Sequence, residues 1–295
     1  MRYFLFLFCF TWLDLSAQVK LEAEKDANEN VTLIATNTDL VPYTVKIEFT
    51  TLNNLQSSGG TITYAVANPG RGAVSRLKRI NVNEGVGYNY KYTSYRGSYS
   101  AKSKEEVAYL IPVSEGVEVT IQPMTDINNT LKGETNNNNY VGISFRFENP
   151  TLICSPRKGV ISQIKIDEEL KGQNYSYSSL DNFIEIYHED GTFTRLSVLK
   201  PGSAKVKLGD TVFPGQPLTE SSGEKYESGP HVRMIQSRLK KYDNELKWES
   251  FPVKLYDNEK GEIQAENGKK VVSTHPIEMI TKEMTKKEIK NFEGK

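Results

Sequence analysis

Between Val19 and about Val119 the apolar residues come in short runs of strand length, rich in Val, Ile, Thr and Tyr. Clusters of Asn, Gly, Ser and Pro interrupt them. Val31-Thr32-Leu33-Ile34-Ala35 and the segment from Tyr43 to Phe49 alternate or run apolar as strands do, with residues 37–42 as the turn between them. A succession of short strands punctuated in this way predicts a small β-sandwich. The tyrosines at 88, 90, 92, 95 and 99 admit two readings. They form a sugar-stacking face, or they are the ordinary occupants of one face of a strand; the second is the simpler.

From Thr125 to Asn139 the chain is polar, carries Gly133 and ends in a run of asparagines, which predicts a loop or linker. Strands are expected again over residues 141–147, 152–154, 159–166, 183–188, 192–198 and 230–235. In the last twenty or so residues Ile277, Ile280, Met284 and Ile289 recur at about helical spacing behind Pro276, which predicts a helical tail. The fold class expected is therefore all-β, organised as a leader (1–17), a β-sandwich domain (18–124), a second β domain (125–238), and a hairpin with a helical tail (239–295).

The leader assignment rests on Arg2, the apolar stretch from Tyr3 to Trp12, and Leu15-Ser16-Ala17 before Gln18. That succession predicts signal-peptidase cleavage after Ala17 and an extracytoplasmic protein, periplasmic or secreted. The stretch is too short for a lasting transmembrane anchor, Asp14 weakens one further, and Cys9 has no small-residue lipobox before it. After cleavage Cys154 is the one cysteine left, which excludes an intramolecular disulfide; in its apolar run it reads as a buried hydrophobe rather than a nucleophile. Lys plus Arg and Asp plus Glu balance at 37 each, so no global field favours nucleic acid or an anionic membrane. No Gly-rich nucleotide loop, serine nucleophile elbow or His-Glu-x-x-His helix occurs in the sequence.

One segment is more specific. It reads Asn182-Phe-Ile-Glu-Ile-Tyr-His188-Glu-Asp190-Gly191, then Val206-Lys-Leu-Gly209-Asp210-Thr-Val-Phe-Pro-Gly215-Gln216-Pro-Leu218, then Ser228-Gly229-Pro230-His231-Val232-Arg233. Asp190-Gly191, Gly209-Asp210 and Pro214-Gly215 each suit a tight turn. The order and spacing resemble the second half of a lysostaphin-type (LytM-like) cell-wall metallopeptidase, where a "G-D-x-V-x-x-G-Q" hairpin is followed by a "G-P-H-x-H" strand. Residues 150–161 resemble an earlier segment of the same family. The stretch around Tyr109-Leu110-Ile111-Pro112-Val113, and that from Phe251 to Lys270, are similar to the flanks of members with an N-terminal β domain.

The resemblance implies a zinc held by an aspartate, an early histidine and the second histidine of "H-x-H", assisted by two further histidines. Carried over position by position, the aspartate is Ser144 and the second histidine of the motif is Arg233. The early histidine is Tyr140 or Leu131, depending on the spacing used. One assisting histidine is Val198 and the other survives as His231. Zinc needs anionic or neutral N, O or S donors, and a guanidinium beside it is repulsive. His188 is a candidate replacement ligand, although a residue before the Asp-Gly turn need not face the cleft, and His275 lies outside the core pattern. His231 is either a structural histidine of the Pro230 turn or a surviving functional one.

The resemblance thus implies a pseudoenzyme without zinc or other cofactor, binding a peptidoglycan stem peptide or a cell-wall hydrolase. Arg233 is the expected anchor for an acidic ligand, with His231 a second donor and Arg195 or Lys158 at the rim; an internal Asp or Glu pairing with Arg233 would plug the cleft instead. The rival expectation is an active zinc endopeptidase with unconventional ligands, and a third is an envelope scaffold with a filled cleft.

Overall fold

The computed structural model describes residues 18–104, 106–125, 140–176, 178, 180–243 and 245–294. The leader lies outside them. The protein is all-β, and among the described residues helix is confined to two short segments near the C-terminus. None of these helices is long and apolar enough to cross a membrane. The chain forms two compact units dividing after Ser94.

The first unit is a sandwich of two antiparallel sheets. One runs β1 (Val19–Lys25), β2 (Val31–Asn37), β6 (Gly70–Arg79), β4 (Leu55–Ser57); the other runs β5 (Ile62–Ala67), β3 (Tyr43–Asn53), β7 (Gly87–Arg96). Alternation decides what is buried: Val45, Ile47 and Phe49 on β3 are buried and Lys46 and Glu48 less so. Tyr88 and Tyr90 stack at 6.4 Å and Tyr90 meets Phe49 edge-on at 6.4 Å. Tyr90 therefore packs with β3.

The second unit is built on one antiparallel sheet in the order β14 (Thr211–Val212), β11 (Gly159–Lys165), β12 (Phe183–Tyr187), β13 (Phe193–Ser197), β16 (His231–Tyr242), β9 (Tyr140–Arg146), β8 (Glu118–Thr125), β20 (Lys270–Val272). β17 (Glu245–Ser250) extends β16 as a hairpin partner. Two small ladders flank the sheet: β10 (Leu152–Cys154) with β15 (Pro217–Glu220), and β18 (Leu255–Asp257) with β19 (Gly261–Ile263). One face carries the core, where Ile143, Phe145, Ile161, Ile184, Ile186, Leu196, Val232 and Met234 are 0 % exposed. Each such side chain contributes roughly 1.5–3 kcal/mol on leaving water. The turns expected at Gly191, Gly209 and Gly215 are present, with φ of 82°, 86° and 80°, a conformation that favours glycine.

Three expectations differ from what is observed. The unit boundary falls at 94/95, and β8 and β20 both pair within the sheet that holds β9, so divisions at 124/125 and 238/239 cut through one sheet. Sheet membership follows hydrogen-bonding partners, and these are distant in sequence. The strand expected at 230–235 continues to Tyr242 because β17 supplies a ladder for its polar second half. The tail folds as two helices, α1 (Ile277–Thr281) and α2 (Lys286–Glu293), with Thr285 capping the second.

Candidate functional site

The face of the large sheet opposite the core carries the residues of interest. Register places Phe183, Ser197, Arg233, Ser144 and Gln122 side by side across β12, β13, β16, β9 and β8. Because side chains alternate along each strand, His231 and Arg233 share this face while Val232 and Met234 enter the core. The structure therefore brings together two positions that the resemblance treats as zinc ligands, Ser144 and Arg233, as direct cross-strand partners.

Arg233 is 9 % exposed and engaged from several directions. Its Nη1 donates to Asp181 Oδ2 at 3.1 Å, its Nη2 donates to the Ser176 carbonyl at 3.3 Å, and its guanidinium lies 5.1 Å from the Tyr226 ring centre. The Tyr226 hydroxyl donates to the other oxygen of Asp181. Burial raises the Asp181 carboxyl from its ordinary value, against the pull of the Tyr226 hydroxyl and the Arg233 guanidinium. Arg233 is thus held by an internal acid, the arrangement that plugs a cleft. Asp181 carries no motif signal of its own; it is one aspartate two residues ahead of β12, and proximity to Arg233 is visible only in the fold.

His231 is 1 % exposed. Its Nδ1–H donates to the Gly229 carbonyl at 2.7 Å, and its ring meets Tyr226 edge-on at 5.1 Å. Its Nε2 is buried with no hydrogen-bond partner among the described residues. Burial lowers the imidazole to about 4, helped by the nearby Arg233 and Arg146. The ring is therefore neutral near pH 7, and its remaining nitrogen accepts rather than donates. The expected second donor for an acidic ligand is not available in this state.

Val198 is 2 % exposed and holds a φ of 69°, a left-handed conformation that a β-branched residue rarely adopts. Its carbonyl accepts from the Ser222 N–H at 3.1 Å. Together with Asp181, Asn182, Leu199, Lys225 and Tyr226 it lines a cavity of about 390 Å³. Strain of this kind costs on the order of 1–3 kcal/mol and persists only where surrounding structure enforces it.

The other sequence-derived positions fall elsewhere. Tyr140 packs against the hydrophobic core rather than joining the Ser144–Arg233 row, and burial raises its hydroxyl pKa. Leu131 lies outside the described residues. Arg195 shares the face of Arg233 but its guanidinium stacks 3.7 Å from the Phe183 ring centre. Lys158 binds the Glu283 carbonyl and the Glu288 carboxylate. His188 is fully buried and both ring nitrogens are used, Nδ1 on the Lys158 carbonyl and Nε2 on Thr194 Oγ1, each at 2.7 Å. Burial lowers it to about 4. His275 donates Nε2–H to the Val113 carbonyl at 3.0 Å. Cys154 is 2 % exposed, and burial pushes its thiol up to about 12.

These residues do not fit zinc. At the two ligand positions that meet, one side chain is a neutral hydroxyl and the other a guanidinium already paired with a carboxylate, so an incoming dication meets a fixed positive charge. Among the described residues no group of three or more His, Cys, Asp or Glu side chains is placed to hold a metal ion.

No family model matches the chain, and no curated protein matches it. Solved structures with similar regions include the SpoIIQ-SpoIIIAH pore-forming complex (24 % identity, 46 % of this chain and 85 % of that one, TM-score 0.32). Another is the M23 metalloprotease pseudoalterin from the deep sea (17 % identity, 58 % and 97 %, TM-score 0.32). A third is Csd3 of Helicobacter pylori (11 % identity, 93 % and 83 %, TM-score 0.32). Overlap at this level specifies neither family nor activity.

Proposed function

We propose that this chain is a catalytically silent relative of the lysostaphin-type peptidases, acting outside the cytoplasm by binding the peptide part of peptidoglycan without cutting it. The observation that carries the reading is the Ser144–Arg233–Asp181 arrangement. In this reading the positions of zinc ligands are held by a hydroxyl and by a guanidinium locked to an internal carboxylate, and the two are cross-strand partners. A buried guanidinium cannot be deprotonated, so the positive charge is permanent and no water can be activated there as on a metal. An acidic stem peptide would reach Arg233 by exchanging with Asp181, carboxylate for carboxylate.

Metal analysis and binding test the proposal together. Protein purified without chelator should carry far less than one zinc per chain, release no soluble fragments from purified peptidoglycan, and cosediment with it. Stoichiometric zinc or measurable cleavage overturns the silent-enzyme reading. Failure to cosediment overturns peptidoglycan as the ligand, and retention of a cell-wall hydrolase on the immobilised protein would then identify a protein partner instead.

A further inference from the structure

A second cluster of buried charge in the second unit lies apart from the Arg233 face. Arg157 is 2 % exposed, and all three of its nitrogens are satisfied. Nη1 donates to Asp190 at 3.0 Å and to the Tyr109 hydroxyl at 3.1 Å, while Nε and Nη2 donate to the two oxygens of Glu283 at 2.8 and 2.7 Å. Glu283 belongs to the short link between α1 and α2. Beside it, Lys158 Nζ donates to the Glu283 carbonyl at 3.0 Å and to the Glu288 carboxylate at 2.8 Å, and Lys104 Nζ lies 4.0 Å from Glu283.

What holds the tail is thus mainly charge. α1 buries Met279, against Ala108 and Leu110, and α2 buries no residue. Glu288 has two tasks, because the carboxylate that receives Lys158 also closes the capping box on the Thr285 N–H at 2.6 Å. An eight-residue helix is marginal in water by itself. Helix formation and docking are therefore coupled through one carboxylate. When the tail leaves, Nε and Nη2 of Arg157 lose both acceptors, and Lys158 and Lys104 face an empty recess. A guanidinium fork of this geometry selects a carboxylate.

We propose that the recess of Arg157, Lys158 and Lys104 is a binding site for a glutamate-bearing segment of another polypeptide, and that residues 277–294 occupy it in cis as a releasable strap. The cis occupant defines the partner chemistry: a carboxylate in the place of Glu283 to fill the Arg157 fork, followed five residues later by a capping-box glutamate for Lys158. This site is independent of the Arg233 face and of the reading built on it.

The test uses the full chain, a Glu288→Ala variant, and a fluorescent synthetic peptide of residues 277–294. Glu288→Ala removes a cap and a partly buried ion pair while leaving Arg157 paired, so folding should be kept. In the variant, strap amides should exchange with deuterium about tenfold faster than in wild type, with β12 and β13 unchanged. The peptide should bind the variant about tenfold more tightly than the wild type, whose recess is occupied, and a peptide carrying Glu283→Gln and Glu288→Gln should not bind. Unchanged strap exchange in the variant overturns the releasable strap. Faster exchange without peptide binding overturns the recess as a binding site.

Discussion

Asp181 Oδ2 accepts a hydrogen bond from Arg233 Nη1 at 3.1 Å, and the two side chains are 10 % and 11 % exposed. Removing one partner leaves the other charge desolvated without compensation, which typically costs about 3 kcal/mol. Arg233→Ala should therefore destabilise more than the double replacement Arg233→Met with Asp181→Leu, which removes both charges. Urea unfolding of the three proteins measures this; equal losses in the single and double variants would show that the pair is not coupled.

Restoring two ligand types does not restore a metal site. Ser144→Asp combined with Arg233→His places an aspartate opposite a histidine, still one donor short of the three a catalytic zinc needs. The double variant should remain without stoichiometric zinc and without activity on peptidoglycan. Cleavage by it would mean that a third donor reaches the row from outside the positions named above.

Two buried histidines set an acid dependence. His188 and His231 are each lowered to about 4 by burial, below the ordinary value near 6.5. In the unfolded chain each binds a proton as pH drops through about 6.5, while in the folded chain it stays neutral until about pH 4. Their contribution is complete above about pH 6.5 and is lost progressively as pH falls towards 4, by a few kcal/mol at most for each. Denaturation midpoints at pH 7 and pH 5 should differ, and His231→Gln should shrink the difference. A midpoint constant from pH 7 to 4 contradicts this.

Val198 carries backbone strain that glycine relieves. Val198→Gly loses a buried side chain but gains a residue at ease with a φ of 69°, so the net cost should stay below about 1 kcal/mol. Val232→Gly, at a buried position of regular strand, should cost more than about 2 kcal/mol. Thermal unfolding of the two variants separates them, and equal costs would remove the case for strain.

Cys154, with its thiol raised to about 12 and 2 % exposed, should resist a bulky thiol reagent in native buffer and react once urea is added. Rapid native labelling would place it at the surface.

The sequence by itself determined the all-β class, the positions of β9 to β13 and of the first half of β16, and the tight turns of the second unit. Period-two burial, as on β3, short apolar runs and the glycines at 191, 209 and 215 are local properties, written in neighbouring residues. It also pointed to Ser144, Val198, His231 and Arg233, because fixed spacings within a motif are local too. It did not determine which of those residues meet. Ser144 and Arg233 are cross-strand partners, while Tyr140 turns to the core, a choice made by register and packing. Nor did it reveal Asp181 as the partner of Arg233 or Glu283 as the partner of Arg157, across separations of 52 and 126 residues. An ion pair needs only proximity and desolvation, which leave no periodic mark on the chain. Only tertiary structure decides which charges are buried together.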